Sequence, residues 1–275
     1  MRGPVSSSIV HRRPDSHKGD YGHLLVIGGA VGMTGAPVLC AEAALRSGAG
    51  LVSLAVPRVI YPIVARKAPA EIMVHPFSHL SDLLKRSDVI AIGPGLSQSP
   101  PARRLARRLV AIAKVPLVLD ADGINAFAGP SRVLLRKAKG PVVITPHPGE
   151  MARLLGITAA AVQKDRTGVA KKSAKQLGVT VVLKGHRTVV ASPLGKVYIN
   201  RTGNPGMATG GAGDVLTGVI AALIGQGCEP FTAAKAGVYL HGLAGDSAAQ
   251  KVGQVSLTAG DLLDHLPAAF RYSLR

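Results

Sequence analysis

The stretch HLLVIGGAVGMTGAPVLCAEAALRSGAGLVSLAVP, residues 23–57, decides the fold of this chain. Two short apolar runs, HLLVIGG (23–29) and GLVSLAVP (50–57), enclose the helix-like segment APVLCAEAALRSG. Runs of that length between turn signals read as buried strands, and strands joined through a helix pair in parallel. The alternation continues through EIMVHP (71–76), DVIAIGPG (88–95), VPLVLDADG (115–123), PVVITPHPG (141–149) and TVVLKG (180–185). Helical patterns separate most of these runs, among them TGVAKKSAKQLG, which Gly178 closes as a C-cap. The expected fold is α/β, with a central, mostly parallel sheet covered by helices on both faces.

Further along, TVVLKG, RTVVASP and KVYIN follow one another with tight connections, which predicts antiparallel strands at one sheet edge. Three helices are expected after them, at 212–225, 230–250 and about 258–270. The chain carries no long linker, composition break or internal repeat, so a single domain over residues 1–275 is expected.

Lys and Arg number 33 against 15 Asp and Glu, a formal net charge of +18, which attracts polyanions. The helix expected from PARRLARRLVAIAK (101–114) places Arg103, Arg104, Arg107 and Arg108 largely opposite Leu105, Leu109 and Ile112, as a wet basic face. Aromatics are scarce and no basic motif is interleaved with them, so no nucleic-acid role is expected. Cys40 and Cys228, placed on separate expected helices, have no metal-type spacing and read as small core residues in a reduced compartment. No apolar run is long enough to span a bilayer, and the first 20 residues lack an apolar signal region. A soluble, cytoplasmic protein without membrane partners is expected.

In an open parallel sheet, ligands collect at the carboxyl ends of the strands. The polar and glycine-rich segments GGAVGMTGA, GPGL, DADG, TPHPGE and KGHRT all fall at such ends. A further motif, NPGMATGGAGDVLTG (204–218), packs four glycines between Asn204 and Asp214 and then enters an apolar helix. A helix N-terminus offers unpaired amides and partial positive charge, and glycines allow close approach of an anion. Gly210, Gly211 and Gly213 are therefore expected to let the backbone turn its amides inward and make an anion pocket. Asp214, at its edge, has the position of a base that takes a hydroxyl proton during phosphoryl transfer. The sequence contains no GxxxxGK[ST], no GxGxxG after the first strand, no GxSxG and no HExxH, which excludes several common sites.

The order HKGDYGHLLVIGGAVGMTGAPVLCAEAALRSGAG, AIGPGL, DADGINAF, TPHPGEMARLLG, LKGHRT, NPGMATGGAGDVLTG resembles the ADP-dependent NAD(P)H-hydrate dehydratase family of the ribokinase-like superfamily. The resemblance runs collinearly from His17 onward. It implies repair of hydrated NADH and NADPH, in which ADP phosphorylates the C6 hydroxyl and phosphate is then eliminated, giving AMP and phosphate. It implies that Asp214 contacts that hydroxyl as base, that Gly211, Ala212 and Gly213 form the anion hole for the transferred phosphoryl group, and that Lys184, Gly185, His186, Arg187, Thr188 and Gly213 bind AMP or ADP. Hydrated NAD(P)H is expected at Gly95, His147, Asp214 and one of Ala36 or Ala41. Glu150 lies where related kinases carry an acid that positions Mg²⁺, directly or through water, and is equally placed as a first-turn helix acid. Asp120 and Asp122 either support the phosphate region or end their strand. A homotetramer and a separate NAD(P)H-hydrate epimerase are the implied partners, and the length of the chain without an epimerase portion fits a stand-alone, ADP-using type. The alternative is a kinase of the same superfamily acting on a vitamin-precursor alcohol. Against it stand His147, where such kinases have Asn, and the NPGMAT lead-in.

Overall fold

A computed structural model describes residues 12–274; residues 1–11, within which most of the expectation about a signal region falls, lie outside the described residues. The decisive stretch forms β1 (His23–Ile27), α1 (Gly35–Arg46) and β2 (Leu51–Val56), and β1 and β2 pair in parallel from His23 opposite Leu51 to Ile27 opposite Ala55. The other expected strands follow as β3 (Met73–Pro76), β4 (Val89–Ile92), β5 (Leu117–Leu119), β6 (Val142–Ile144), β7 (Thr180–Leu183), β8 (Val189–Ala191) and β9 (Val197–Ile199). They form one sheet in the order β3-β2-β1-β4-β5-β6-β7-β8-β9. Pairing is parallel up to β7 and antiparallel at β7–β8 and β8–β9, where Val190 stands opposite both Val182 and Tyr198.

Side chains alternate across the strands and feed two cores. Leu24 and Val26 of β1 join a core built with α1, α2 (Tyr61–Lys67), α9 (Ala212–Gly225), α10 (Pro230–Val252) and α11 (Ala259–Leu274). Leu25 and Ile27 join a second core, with α3 (Leu80–Arg86), α4 (Pro100–Ile112), α5 (Asp122–Asn125), α6 (Pro148–Leu155), α7 (Ala159–Lys164) and α8 (Arg166–Leu177). Both faces are thus dry, which is why the strands read as continuous apolar runs.

Two details differ from expectation. In α4 the buried face is Ala102, Ala106, Leu109 and Val110, while Ile112 is exposed; Arg107 is half-buried because its Nε donates to the Ala126 carbonyl at 2.7 Å. Cys228 lies on the connection between α9 and α10, since α9 ends at Gly225; Cys40 is buried on α1. Among the described residues no helix is long and apolar enough to cross a membrane.

Candidate active site at the carboxyl rim of the sheet

Main-chain bonds continue the sheet for one step beyond its strands and align the rim loops. Gly93 N donates to Ile27 O, Asp120 N to Ile92 O, Thr145 N to Leu119 O and Lys184 N to Pro146 O, at 2.8–3.1 Å. This ladder delivers Asp120 and Lys184 to adjoining places. Lys184 Nζ lies 2.7 Å from Asp120 Oδ1 and 3.8 Å from Glu150 Oε2. Thr217 of α9 donates its hydroxyl to the other Asp120 oxygen at 2.8 Å. Burial pushes the Lys184 ammonium towards losing its proton, but Asp120 and Glu150 outweigh it and the net shift is upward, so Lys184 stays charged.

Asp214 occupies the first turn of α9. Gly211, immediately before the helix, has φ 90°, a left-handed conformation that favours glycine. The first main-chain bond of α9 runs from Val215 N to Gly211 O at 3.1 Å, so the amides of Gly213 and Asp214 precede it at the helix mouth. A Cβ on Gly213 would lie 3.1 Å from Lys184 Nζ, which places the ammonium against the same mouth. Burial raises the Asp214 carboxyl, Asp120 and Glu150 add to the rise, Lys184 opposes it, and the result is about 7. A carboxyl poised there exchanges a proton near neutral pH, as a general base must.

His147 and Glu150 form a reciprocal cap at the start of α6: Gly149 N donates to His147 Nδ1 at 3.0 Å, and His147 N to Glu150 Oε2 at 2.8 Å. The His147 ring is half-exposed on the rim, whereas Glu150 is buried. Among the described residues no group of three His, Cys, Asp or Glu side chains is placed to hold a metal. Magnesium, however, usually keeps several waters and rests on one or two carboxylates plus substrate phosphates. Glu150 fits that role, because among the described residues only its Oε2 is shown accepting a hydrogen bond, from His147 N, while Oε1 lies 3.6 Å from His147 Nε2 at the rim.

A cavity of about 990 Å³ opens beside the helix mouth, walled by residues 184–188, 200–205, Met207, Ala208, Ala212, Gly213, Leu216 and three residues of α10. All five residues of the KGHRT segment and Gly213 therefore share one wall system. Asp214, Gly95, Ala36 and His147 are not part of it. On another part of the rim, Gly29 N bonds Pro94 O at 2.9 Å, joining the first glycine loop to GPGL, and a Cβ on Gly95 would lie 3.4 Å from the Ala36 Cβ. Ala41 is 0 % exposed within the core and offers no surface to a ligand; of the two alternatives, Ala36 stands beside Gly95. Asp122 ties loops together, accepting Ser97 N at 2.9 Å and Asn125 Nδ2 at 3.2 Å, so it does local structural work.

Several residues that the sequence did not single out belong here. Thr217 follows Asp214 by three residues on one helix, a spacing that places both on the same side. Asp246 of α10 accepts Gly203 N at 2.9 Å and Asn204 Nδ2 at 3.1 Å and so shapes the NPG loop, and nothing local signals it. His241 of α10 lines the cavity with its Nε2 buried and unpartnered; burial, offset in part by the Ala212 carbonyl, lowers it to about 4, so it is neutral.

A family model described as NAD(P)H-hydrate dehydratase matches residues 24–268. The chain is 52 % identical to the bifunctional NAD(P)H-hydrate repair enzyme Nnr of Moorella thermoacetica, over 96 % of this chain and 52 % of the relative, and thus spans about half that protein's length. It is 43 % identical to the ADP-dependent (S)-NAD(P)H-hydrate dehydratase of Neisseria meningitidis, over 95 % of this chain and 88 % of that one. The crystal structure of the ADP/ATP-dependent NAD(P)H-hydrate dehydratase of Bacillus subtilis, co-crystallised with ATP and Mg²⁺, matches with a TM-score of 0.85 at 34 % identity, covering 97 % of this chain and 95 % of that one. These likenesses support the kinase alternative less, and they agree with the ribokinase-like sheet order. The chain belongs to the NAD(P)H-hydrate dehydratase family.

Proposed function

We propose that the chain catalyses ADP-dependent dehydration of the S-form of hydrated NADH and NADPH, releasing NAD(P)H, AMP and phosphate. The observation that carries this reading is Asp214, a carboxyl poised at about 7 in the first turn of a glycine-led helix, next to a cavity wall. The cavity takes ADP, with Lys184, Gly185, His186, Arg187, Thr188 and Gly213 around the AMP portion. The hydrated ring approaches past Ala36, Gly95 and His147.

Asp214 removes the proton of the C6 hydroxyl as that oxygen attacks the β-phosphorus, and the bond from phosphorus to the AMP oxygen breaks. Gly211, Ala212 and Gly213 form the anion hole around the phosphoryl group in transfer, with the Gly213 amide, which precedes the first main-chain bond of α9, placed to donate to its charge. The lone pair of the ring nitrogen then expels the C6 phosphate, a far better leaving group than hydroxide, and loss of the C5 proton restores the dihydronicotinamide. Glu150 would hold Mg²⁺ through water, and the ion, when bound, neutralises phosphate charge. Supply of the S-form calls for an epimerase that interconverts the hydrates, and a cytoplasmic homotetramer completes the proposal.

Incubation with ADP and hydrated NADH, run beside ATP and beside hydrated NADPH, tests the reading. The near-ultraviolet absorbance of dihydronicotinamide should return in step with the appearance of AMP. If neither occurs, the proposal is wrong; phosphorylation of an alcohol in its place would point to the kinase alternative.

A further inference from the structure

We infer that Arg166, the first residue of α8, is a positioning residue for loop 184–188; this rests on the nucleotide reading of the cavity. Its guanidinium donates to three consecutive parts of the strand end and loop: the carbonyls of Leu183 at 2.9 Å, of Lys184 at 3.1 Å, and of His186. Two residues of that loop have positive φ, Gly185 at 133° and Arg187 at 54°. A non-glycine residue in that region persists when its surroundings hold it there. Among the described residues, the loop's other ties are the Lys184 ammonium to Asp120 and Glu150, Lys184 N to Pro146 O at 2.8 Å, Thr188 Oγ1 to Gly185 O at 3.1 Å, and Asn200 N to Thr188 O at 2.9 Å, and none of these reaches the His186–Arg187 turn. Arg166 thus fixes the half of the loop that carries the unusual backbone.

The fit is close. A Cβ on Gly185 would come within 3.0 Å of an Arg166 terminal nitrogen, so the guanidinium occupies the space beneath the loop. A planar fork can serve diverging carbonyls at once, which the single ammonium of lysine cannot. Asp165 sets the start of α8 by accepting Gly168 N at 2.8 Å, and so places Arg166 in register with the loop. Arg166 is not among the residues that wall the cavity, so its influence on a ligand passes through the loop.

Calorimetric titration of ADP into the full chain, followed by steady-state kinetics, tests this. Wild type must bind ADP; if it does not, the nucleotide reading fails, and this inference with it, before any variant is made. With wild type binding, Arg166→Ala should weaken ADP affinity and raise the KM for ADP by about 10- to 100-fold, by analogy with the loss on removing a group that orients a metal ligand. The kcat and the KM for hydrated NADH should change little, and Arg166→Lys should fall between. Wild-type ADP affinity in a folded Arg166→Ala, or a loss confined to kcat, overturns the inference. If the alanine variant melts without cooperativity, Arg166→Lys decides by the same measurement: a weakening of several-fold supports the inference and unchanged affinity overturns it.

Discussion

At the residue scale, Asp214 is held where ionisation is costly, because burial and the Asp120 carboxylate raise it while Lys184 only partly compensates. The same placement that costs stability makes it a usable base. Asp214→Asn is expected to lower turnover by ~10²–10⁴ with ADP binding little changed, since a lost general base removes an interaction made in the transition state. An active variant would reduce Asp214 to a helix cap. In wild type, kcat/KM should rise with pH through about 7 as the carboxyl loses its proton, and that limb should vanish in Asp214→Asn. The sign for stability is opposite. With a folded value of about 7 against 3.8 ordinarily, the unfolded chain loses this proton first; the penalty is absent below about pH 4, grows up to about 7 and then levels off. At 1.36 kcal/mol per unit, it reaches at most about 4 kcal/mol. Asp214→Asn should therefore resist denaturant better than wild type at pH 8, and about equally at pH 4.

At the element scale, α9 combines an open mouth with a tightly packed body, and two glycines separate these roles. A Cβ on Gly213 would project towards Lys184 Nζ at 3.1 Å, into the space read as the phosphoryl site. Gly213→Ala keeps the amide but puts a methyl group into that space, and should cut turnover by about 10²-fold or more, comparable to losing an anion-hole donor, without lowering the melting temperature. A Cβ on Gly218 would instead meet the Cys40 carbonyl oxygen at 2.1 Å and the Ala43 Cβ at 2.8 Å, where α1 crosses α9. Gly218→Ala should destabilise the fold by about 1–3 kcal/mol through overpacking, with KM values of the folded fraction unchanged. Both glycines belong to one quoted motif, yet spacing alone does not tell the one at the helix mouth from the packing one. The same limit shows in α4, where the wheel placed Ile112 inward and the end of the helix left it in solvent.

At the scale of the whole molecule, the +18 charge meets a cavity whose wall already includes Lys184, Arg187 and Arg201. Nucleotide capture should therefore be sensitive to ionic strength. Raising salt from about 0.05 M to about 0.5 M shortens the screening length, and the KM for ADP should climb several-fold while kcat holds steady. Kinetics across a salt series check this; a flat KM would mean that the surface charge plays no part in capture.

Local pattern was enough for the sheet and for the parts of the site that are contiguous in the chain. Buried parallel strands are apolar on both faces, so each announces itself within a few residues. The GGAGD mouth and the His147–Glu150 cap also lie within single short segments. What links these parts was decided only by the tertiary structure. Lys184 and Asp120 are 64 residues apart, Asp120 and Thr217 are 97 apart, and they meet because the order β4-β5-β6-β7 brings successive strand ends side by side under the start of α9. The choice of Ala36 over Ala41 beside Gly95, the support of the KGHRT loop by Arg166 and the rise of Asp214 to about 7 follow from that assembly. Burial and charge proximity are properties of the packed chain, and no short window of sequence carries them.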